Sequence, residues 1–107
     1  MSWSRACPAD QLEPEDVIEV DVGGQPIAVY RSKSGTYHAS QPKCTHAKVN
    51  LAGGCVIGME IECPKHNARF DLATGEAMRR PAVMPLRIYP VEIRDGWVFV
   101  ELPPTDE

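Results

Sequence analysis

Two short segments hold the residues whose types and spacing could do chemistry: Cys44-Thr45-His46 and Cys63-Pro64-Lys65-His66. Sixteen residues separate His46 from Cys63, so the pattern is C-x-H, sixteen residues, C-x-x-H. Each segment fits within one tight turn and delivers one thiolate and one imidazole. Two thiolates and two imidazoles suit a borderline metal or an iron–sulfur cluster. Structural zinc is often held by two Cys and two His, but zinc fingers usually pair Cys with Cys and His with His, whereas here each loop mixes the two. Cys7 and Cys55 have no neighbouring histidine and read as small, unligated residues, although a Cys7–Cys55 disulfide is open from sequence alone. His38 lies in a strand-like run without a metal-spaced partner and reads as a surface or packed histidine. Gly53-Gly54 lacks the rest of a phosphate loop and reads as a turn. No Ser/His/Asp arrangement is present, and nothing points to a substrate pocket.

The elements that must position these loops are strands. Ile18, Val20 and Val22 alternate with Glu19 and Asp21, a period of two. Gly23-Gly24-Gln25-Pro26 breaks the chain, and 27–31 reads as the next strand, followed by a Ser34-Gly35 turn into 36–40. Cys55-Val56-Ile57 and 59–63 read as a hairpin across Gly58, with Glu60 and Glu62 on its wet face. The runs 68–72 and 76–78 flank Ala73-Thr74-Gly75, a further hairpin. Asp95-Gly96 lies between 86–94 and 97–102, and both turn residues tolerate positive φ, so it is a strong hairpin signal. Pro90 inside the first run suggests an edge or a bulge. Trp97 and Phe99 alternate on the terminal strand and read as core. The ends, 2–4 and 103–107, read as loose. No window carries a helical stripe. The expectation is an all-β domain: an antiparallel β-sandwich base from 1–42 and 86–107, with an inserted ligand-bearing tip at about 43–85.

A length of 107 residues suits one small domain. Hydrophobic residues make up 43 % and charged residues 24 %, which is a globular balance. The net charge of −4 has the wrong sign for a nucleic-acid binder. The longest low-polarity stretch, 51–59, is far short of the roughly 20 residues that span a membrane. The first residues have no apolar signal region, so a cytoplasmic setting is expected, where disulfides are rare. Charge is uneven. Within 43–80, Lys43, Lys48, Lys65, Arg69, Arg79 and Arg80 outnumber Glu60, Glu62, Asp71 and Glu76, while the remainder is strongly acidic. The excess at the ligand end suits an acidic partner.

With these segments in view, the chain resembles the Rieske-type 2Fe–2S proteins, and especially the small ferredoxins that serve aromatic ring-hydroxylating oxygenases. The resemblance spans Cys44-Thr45-His46, the run from Gly54 through Cys63-Pro64-Lys65-His66, Arg69-Phe70-Asp71 with Thr74-Gly75, and Pro81-Ala82 with Pro85-Leu86 and Tyr89. It implies a Rieske-like fold and one 2Fe–2S cluster, with Cys44 and Cys63 on one iron and His46 and His66 on the other. The histidine-bound iron would lie nearer the surface, and 81–85 would be the family's proline loop covering the cluster. It also implies a monomeric one-electron carrier without catalysis of its own. Such a carrier runs between a flavin-containing NAD(P)H reductase and a terminal oxygenase that dock transiently at the cluster tip. High-potential Rieske proteins carry a disulfide between the ligand loops and two hydroxyls near the cluster. The matching positions here are Val49 and Lys65, and Ala68 and Phe70, which points to the low-potential branch. Two other readings are a small Rieske-like subunit of an NAD(P)H-dependent nitrite reductase and a structural zinc-binding interaction module.

Overall fold

The computed structural model describes residues 2–45, 48–65, 67–80 and 84–102. Eleven strands in these residues form three antiparallel sheets, and the other named elements are two single 3₁₀ turns. The strands are β1 (Ser2–Pro8), β2 (Asp16–Val22), β3 (Gln25–Arg31), β4 (Tyr37–Ser40), β5 (Cys55–Ile57), β6 (Glu60–Glu62), β7 (Arg69–Asp71), β8 (Ala77–Arg79), β9 (Ile88–Tyr89), β10 (Val91–Arg94) and β11 (Trp97–Leu102). The sheet orders are β1-β11-β10, β2-β3-β4-β9 and β5-β6-β7-β8. Among the described residues no helix is long and apolar enough to cross a membrane.

The turns form where residues can adopt positive φ. Gly23 and Gly24 (φ 60° and 83°) join β2 to β3, and Asp95 and Gly96 (φ 50° and 78°) join β10 to β11. Both residues of each pair are left-handed, which matches the twist of the strands they connect. β3 begins directly after Gly24, so Gln25-Pro26 is strand rather than break.

Two buried clusters hold the fold together. One contains Cys7, Leu12, Val22, Ile27, Val29, Ala39, Tyr89, Val98 and Val100, between the first two sheets. Ile18 and Val20 pack against it, as their alternation predicts. The other joins the third sheet to the base through Ala28, Tyr30, Cys44, Leu51, Ile61, Cys63, Phe70 and Leu86, among others.

Three expectations are corrected. The N-terminal segment is a strand, not a loose end: β1 pairs with β11 from Ser2↔Leu102 to Pro8↔Trp97. Pro90 does mark an edge, since β9 and β10 on either side of it are both edge strands, but it lies between two strands rather than inside one: there the chain leaves β9, in the second sheet, for β10, in the first. Trp97 and Phe99 are not core. Val98 and Val100 fill the interior, and the aromatic rings lie on the outer face. Cations shield that face, with the Arg5 guanidinium 4.4 Å from the Trp97 ring centroid and that of Arg94 4.6 Å from Phe99. The segments 81–83 and 103–107 lie outside the described residues.

Candidate metal centre

Cys44 follows β4 in a loop that closes on itself. Its N–H donates to the Val49 carbonyl at 3.0 Å, Lys43 and Asn50 form a β-bridge, and the Leu51 N–H donates to the Pro42 carbonyl at 2.9 Å. Cys63 follows β6 in a similar loop, its N–H donating to the Ala68 carbonyl at 2.7 Å. Asn67 supplies the left-handed residue that this turn requires (φ 60°), a conformation asparagine tolerates. The loops pack together because Gly54 has no side chain. A Cβ there would collide with the Glu62 carbonyl and stand 3.2 Å from Pro64 Cδ. Gly53-Gly54 is therefore a packing surface as well as a turn.

These loops bring two of the four expected ligands together. Cys44 and Cys63 are both buried, in one cluster with Ala68 and Phe70, and the Cys44 thiol lies close enough to act on that of Cys63. The Lys65 N–H points at Cys63 Sγ from 3.4 Å. Burial pushes the Cys63 thiol up to about 11; the Lys65 N–H pulls it down and the Cys44 thiol pushes it up. Buried beside a second cysteine, the Cys63 thiol resists ionisation without a positive charge next to it. A cationic metal or cluster core supplies that charge, so the donor set fits such a group. His46 and His66 lie outside the described residues. Among the described residues no three His, Cys, Asp or Glu side chains converge as a metal site.

The other chemistry-bearing residues lie apart. Cys7 is buried in the base core, where burial raises its thiol, and Cys55 is exposed on β5; no disulfide joins them. His38, on β4, shares a 2.8 Å hydrogen bond between its Nε2 and Thr36 Oγ1. Arg69 and Arg79 pair with Glu60 and Glu62 at 3.5–3.6 Å. Of the remaining cations of this region, Lys43, Lys48 and Lys65 are exposed on the two cysteine loops, and Arg80 is exposed directly after β8.

Comparison with known proteins decides between zinc and iron–sulfur. The Rieske [2Fe-2S] domain family matches residues 2–90. The chain belongs to that family. A Rieske 2Fe–2S cluster, not zinc, is thus its cofactor. Over 101 residues it is 36 % identical to the ferredoxin component of a naphthalene 1,2-dioxygenase/salicylate 5-hydroxylase system from a Ralstonia species, covering 94 % of this chain and 96 % of the relative. The Sphingomonas yanoikuyae B1 ferredoxin superposes with a TM-score of 0.86 at 35 % identity, covering 92 % of this chain and 97 % of the other. A ferredoxin solved in complex with the oxygenase of carbazole 1,9a-dioxygenase gives 0.83 at 34 % identity, covering 92 % and 91 %. These Rieske relatives are electron-transfer components, not catalysts, and this chain matches them along nearly its whole length.

Sequence reasoning missed two residues beside the site. Tyr30 is buried in the same cluster as Cys44, whose thiol raises the phenol's pKa as burial does more strongly. Gln41 lies between β4 and the first cysteine loop, and its side chain bonds to Lys43 in that loop and to Arg87 just before β9. Neither belongs to the ligand spacing, and no periodicity signals either one.

Proposed function

We propose that this chain is a one-electron carrier that takes electrons from a flavin-dependent NAD(P)H reductase and passes them to a terminal oxygenase, an aromatic ring-hydroxylating dioxygenase. Cys44 and Cys63 hold one iron of the cluster, and His46 and His66 hold the other. The observation carrying this reading is the pair of buried thiols, one from each loop, each loop also bearing a histidine two or three residues on. When bound, the cluster supplies one reversible electron.

The chain's own residues set the conditions for that exchange. The Cys44–Val49 and Cys63–Ala68 hydrogen bonds fix the loops, so little need rearrange when the charge changes. Ala68 and Phe70, both buried beside the thiols, present no hydroxyl to stabilise added negative charge. The potential is therefore low, near −150 mV, the bottom of the Rieske range. The base comprises 1–42 and 86–107 and the tip 43–85. Partners dock at the tip, where Lys48, Lys65 and Arg80 face acidic surfaces, and the chain works as a cytoplasmic monomer.

The test combines spectroscopy with substitution. The purified protein shows a Rieske electron paramagnetic resonance spectrum and delivers electrons to an oxygenase only when reductase and NAD(P)H are present. His46→Cys or His66→Cys, where a cluster assembles, lowers the potential, because thiolate adds a negative charge that neutral imidazole lacks. Cys7→Ser and Cys55→Ser retain full iron. An unchanged spectrum and potential in either histidine variant, or iron loss in either serine variant, overturns the ligand assignment.

A further inference from the structure

Gln41 stands where the chain leaves β4 for the first cysteine loop, and all four of its polar groups are engaged. Its backbone N–H donates to the Arg87 carbonyl at 3.0 Å, and its carbonyl accepts from Ser40 Oγ at 2.8 Å. Its side-chain Oε1 accepts from the Arg87 N–H at 2.8 Å, and its Nε2 donates to the Lys43 carbonyl at 2.9 Å. One partner is a donor and the other an acceptor, so the amide can serve both in a single orientation. Ser40 commits its one hydroxyl proton to Gln41, which makes the Tyr30 phenol the donor in the 2.7 Å Tyr30–Ser40 bond.

These bonds tie together the two strands of chain that connect the base to the third sheet. Lys43, immediately before Cys44, is on the outgoing one, and Arg87, immediately before β9, is on the returning one. A second tie lies on the far side of Cys44, where Thr45 Oγ1 donates to the Met84 carbonyl at 2.8 Å. Cys44 is thus held between two cross-links to the same returning segment.

We infer that Gln41 is a positioning residue for the metal centre: its side-chain amide clamps Lys43 to Arg87 and so fixes the Cys44 sulfur relative to Cys63. The inference rests on the reading of Cys44 as a ligand. Gln41 is only partly buried and belongs to neither core, so its substitution leaves the fold standing.

The test uses Gln41→Ala and Gln41→Glu in the cluster-loaded protein. The readouts are iron content, electron paramagnetic resonance g values, reduction potential and amide hydrogen exchange at Arg87. In Gln41→Ala the Arg87 amide exchanges roughly two- to tenfold faster, the loss of one net hydrogen bond. Its g values broaden and its potential shifts while iron stays at the wild-type level. Gln41→Glu keeps the acceptor for Arg87, so that amide stays protected. Its carboxylate faces the Lys43 carbonyl with no proton to share, so the spectral and potential changes persist. Wild-type g values and potential in both variants overturn the inference, as does wild-type Arg87 exchange in Gln41→Ala. Were Gln41→Ala to fail to fold, Gln41→Glu decides by its spectrum and potential. Cys44→Ala reports separately on the underlying reading: iron retained there at the wild-type level refutes the ligand assignment, whatever the Gln41 variants show.

Discussion

Gly54→Ala isolates the close approach of the two ligand loops. Gly54 has φ −93° and ψ −158°, extended backbone that alanine adopts without strain. The cost is therefore one of space. The new methyl would overlap the Glu62 carbonyl oxygen and stand 3.2 Å from both the Glu62 carbonyl carbon and Pro64 Cδ. Restoring van der Waals distance moves a backbone segment by about 1 Å, and the segment that moves carries Cys63. Overpacking costs about 1–3 kcal/mol, and displacement of backbone rather than side chain places this case at the upper end. At about 4–8 °C per kcal/mol for a domain near this size, Tm falls by roughly 12–24 °C. Gly58→Ala is the control. Gly58 has φ +65° and nothing within 4 Å of its Cβ position, so only the conformational cost applies, about 1 kcal/mol, without effect on the cysteines. Thermal unfolding by circular dichroism, with iron per chain and visible absorption, compares the two. Gly54→Ala loses cluster as well as stability, whereas Gly58→Ala loses only stability. A Gly54→Ala protein with wild-type Tm and full iron refutes the steric argument, and equal iron loss in both variants refutes its assignment to the loop contact.

Charge reversal at Lys48, Lys65 or Arg80 slows electron delivery to the oxygenase more at low salt than at physiological salt, where exposed charges are screened within about 8 Å; stopped-flow rates at two ionic strengths measure it, and rates indifferent to both changes remove these cations from docking. Phe70→Tyr places a hydroxyl beside the buried thiols, and if it donates to a sulfur it raises the potential by about 40 mV, one net hydrogen bond on the one-electron scale. Tyr30→Phe leaves the potential within measurement error, because that phenol's proton is committed to Ser40; voltammetry of both variants checks the pair. Burial holds His38 below the usual imidazole range, and Asp71 only partly offsets it. Its neutral form is thus favoured by folding, and its contribution to stability is complete above about pH 6.5 and declines as pH falls below that unfolded-state value. Urea unfolding at about pH 7.5 and 5.5 shows a smaller acid loss in His38→Gln than in wild type, and an equal or larger loss contradicts the sign.

The family and its cluster are legible in Cys44-Thr45-His46 and Cys63-Pro64-Lys65-His66 because iron–sulfur chemistry constrains both residue type and spacing. The hairpins at Gly58 and Asp95-Gly96 were legible because turn chemistry is local. What escaped the sequence depended on neighbours distant along the chain. β1 has no turn signal to announce it and becomes a strand by pairing with β11. Alternation on β11 was visible, but its inward phase was not. Large rings were expected inside, yet Val98 and Val100 fill the limited space there, and Arg5 and Arg94 cover the rings outside. The edge at Pro90 is legible, but the change of sheet there is not, because sheet membership is a tertiary property. Gln41 looks like any polar residue until Arg87 is brought beside it, 46 positions later.

β3 is buried on both faces over four successive residues. Ile27 and Val29 belong to the base core, while Ala28 and Tyr30 belong to the core that contains the two cysteines. One backbone is therefore a wall common to two interiors, and neither can open without exposing a face of that wall. Unfolding of the ligand-bearing sheet and of the sandwich is thermodynamically linked, and the protein melts as one cooperative unit rather than as a body with a hinged head. In the proposed carrier, the two cysteines share a wall with the sandwich core, so selectivity toward a partner would reside in the surfaces that meet rather than in a rearrangement of that shared core.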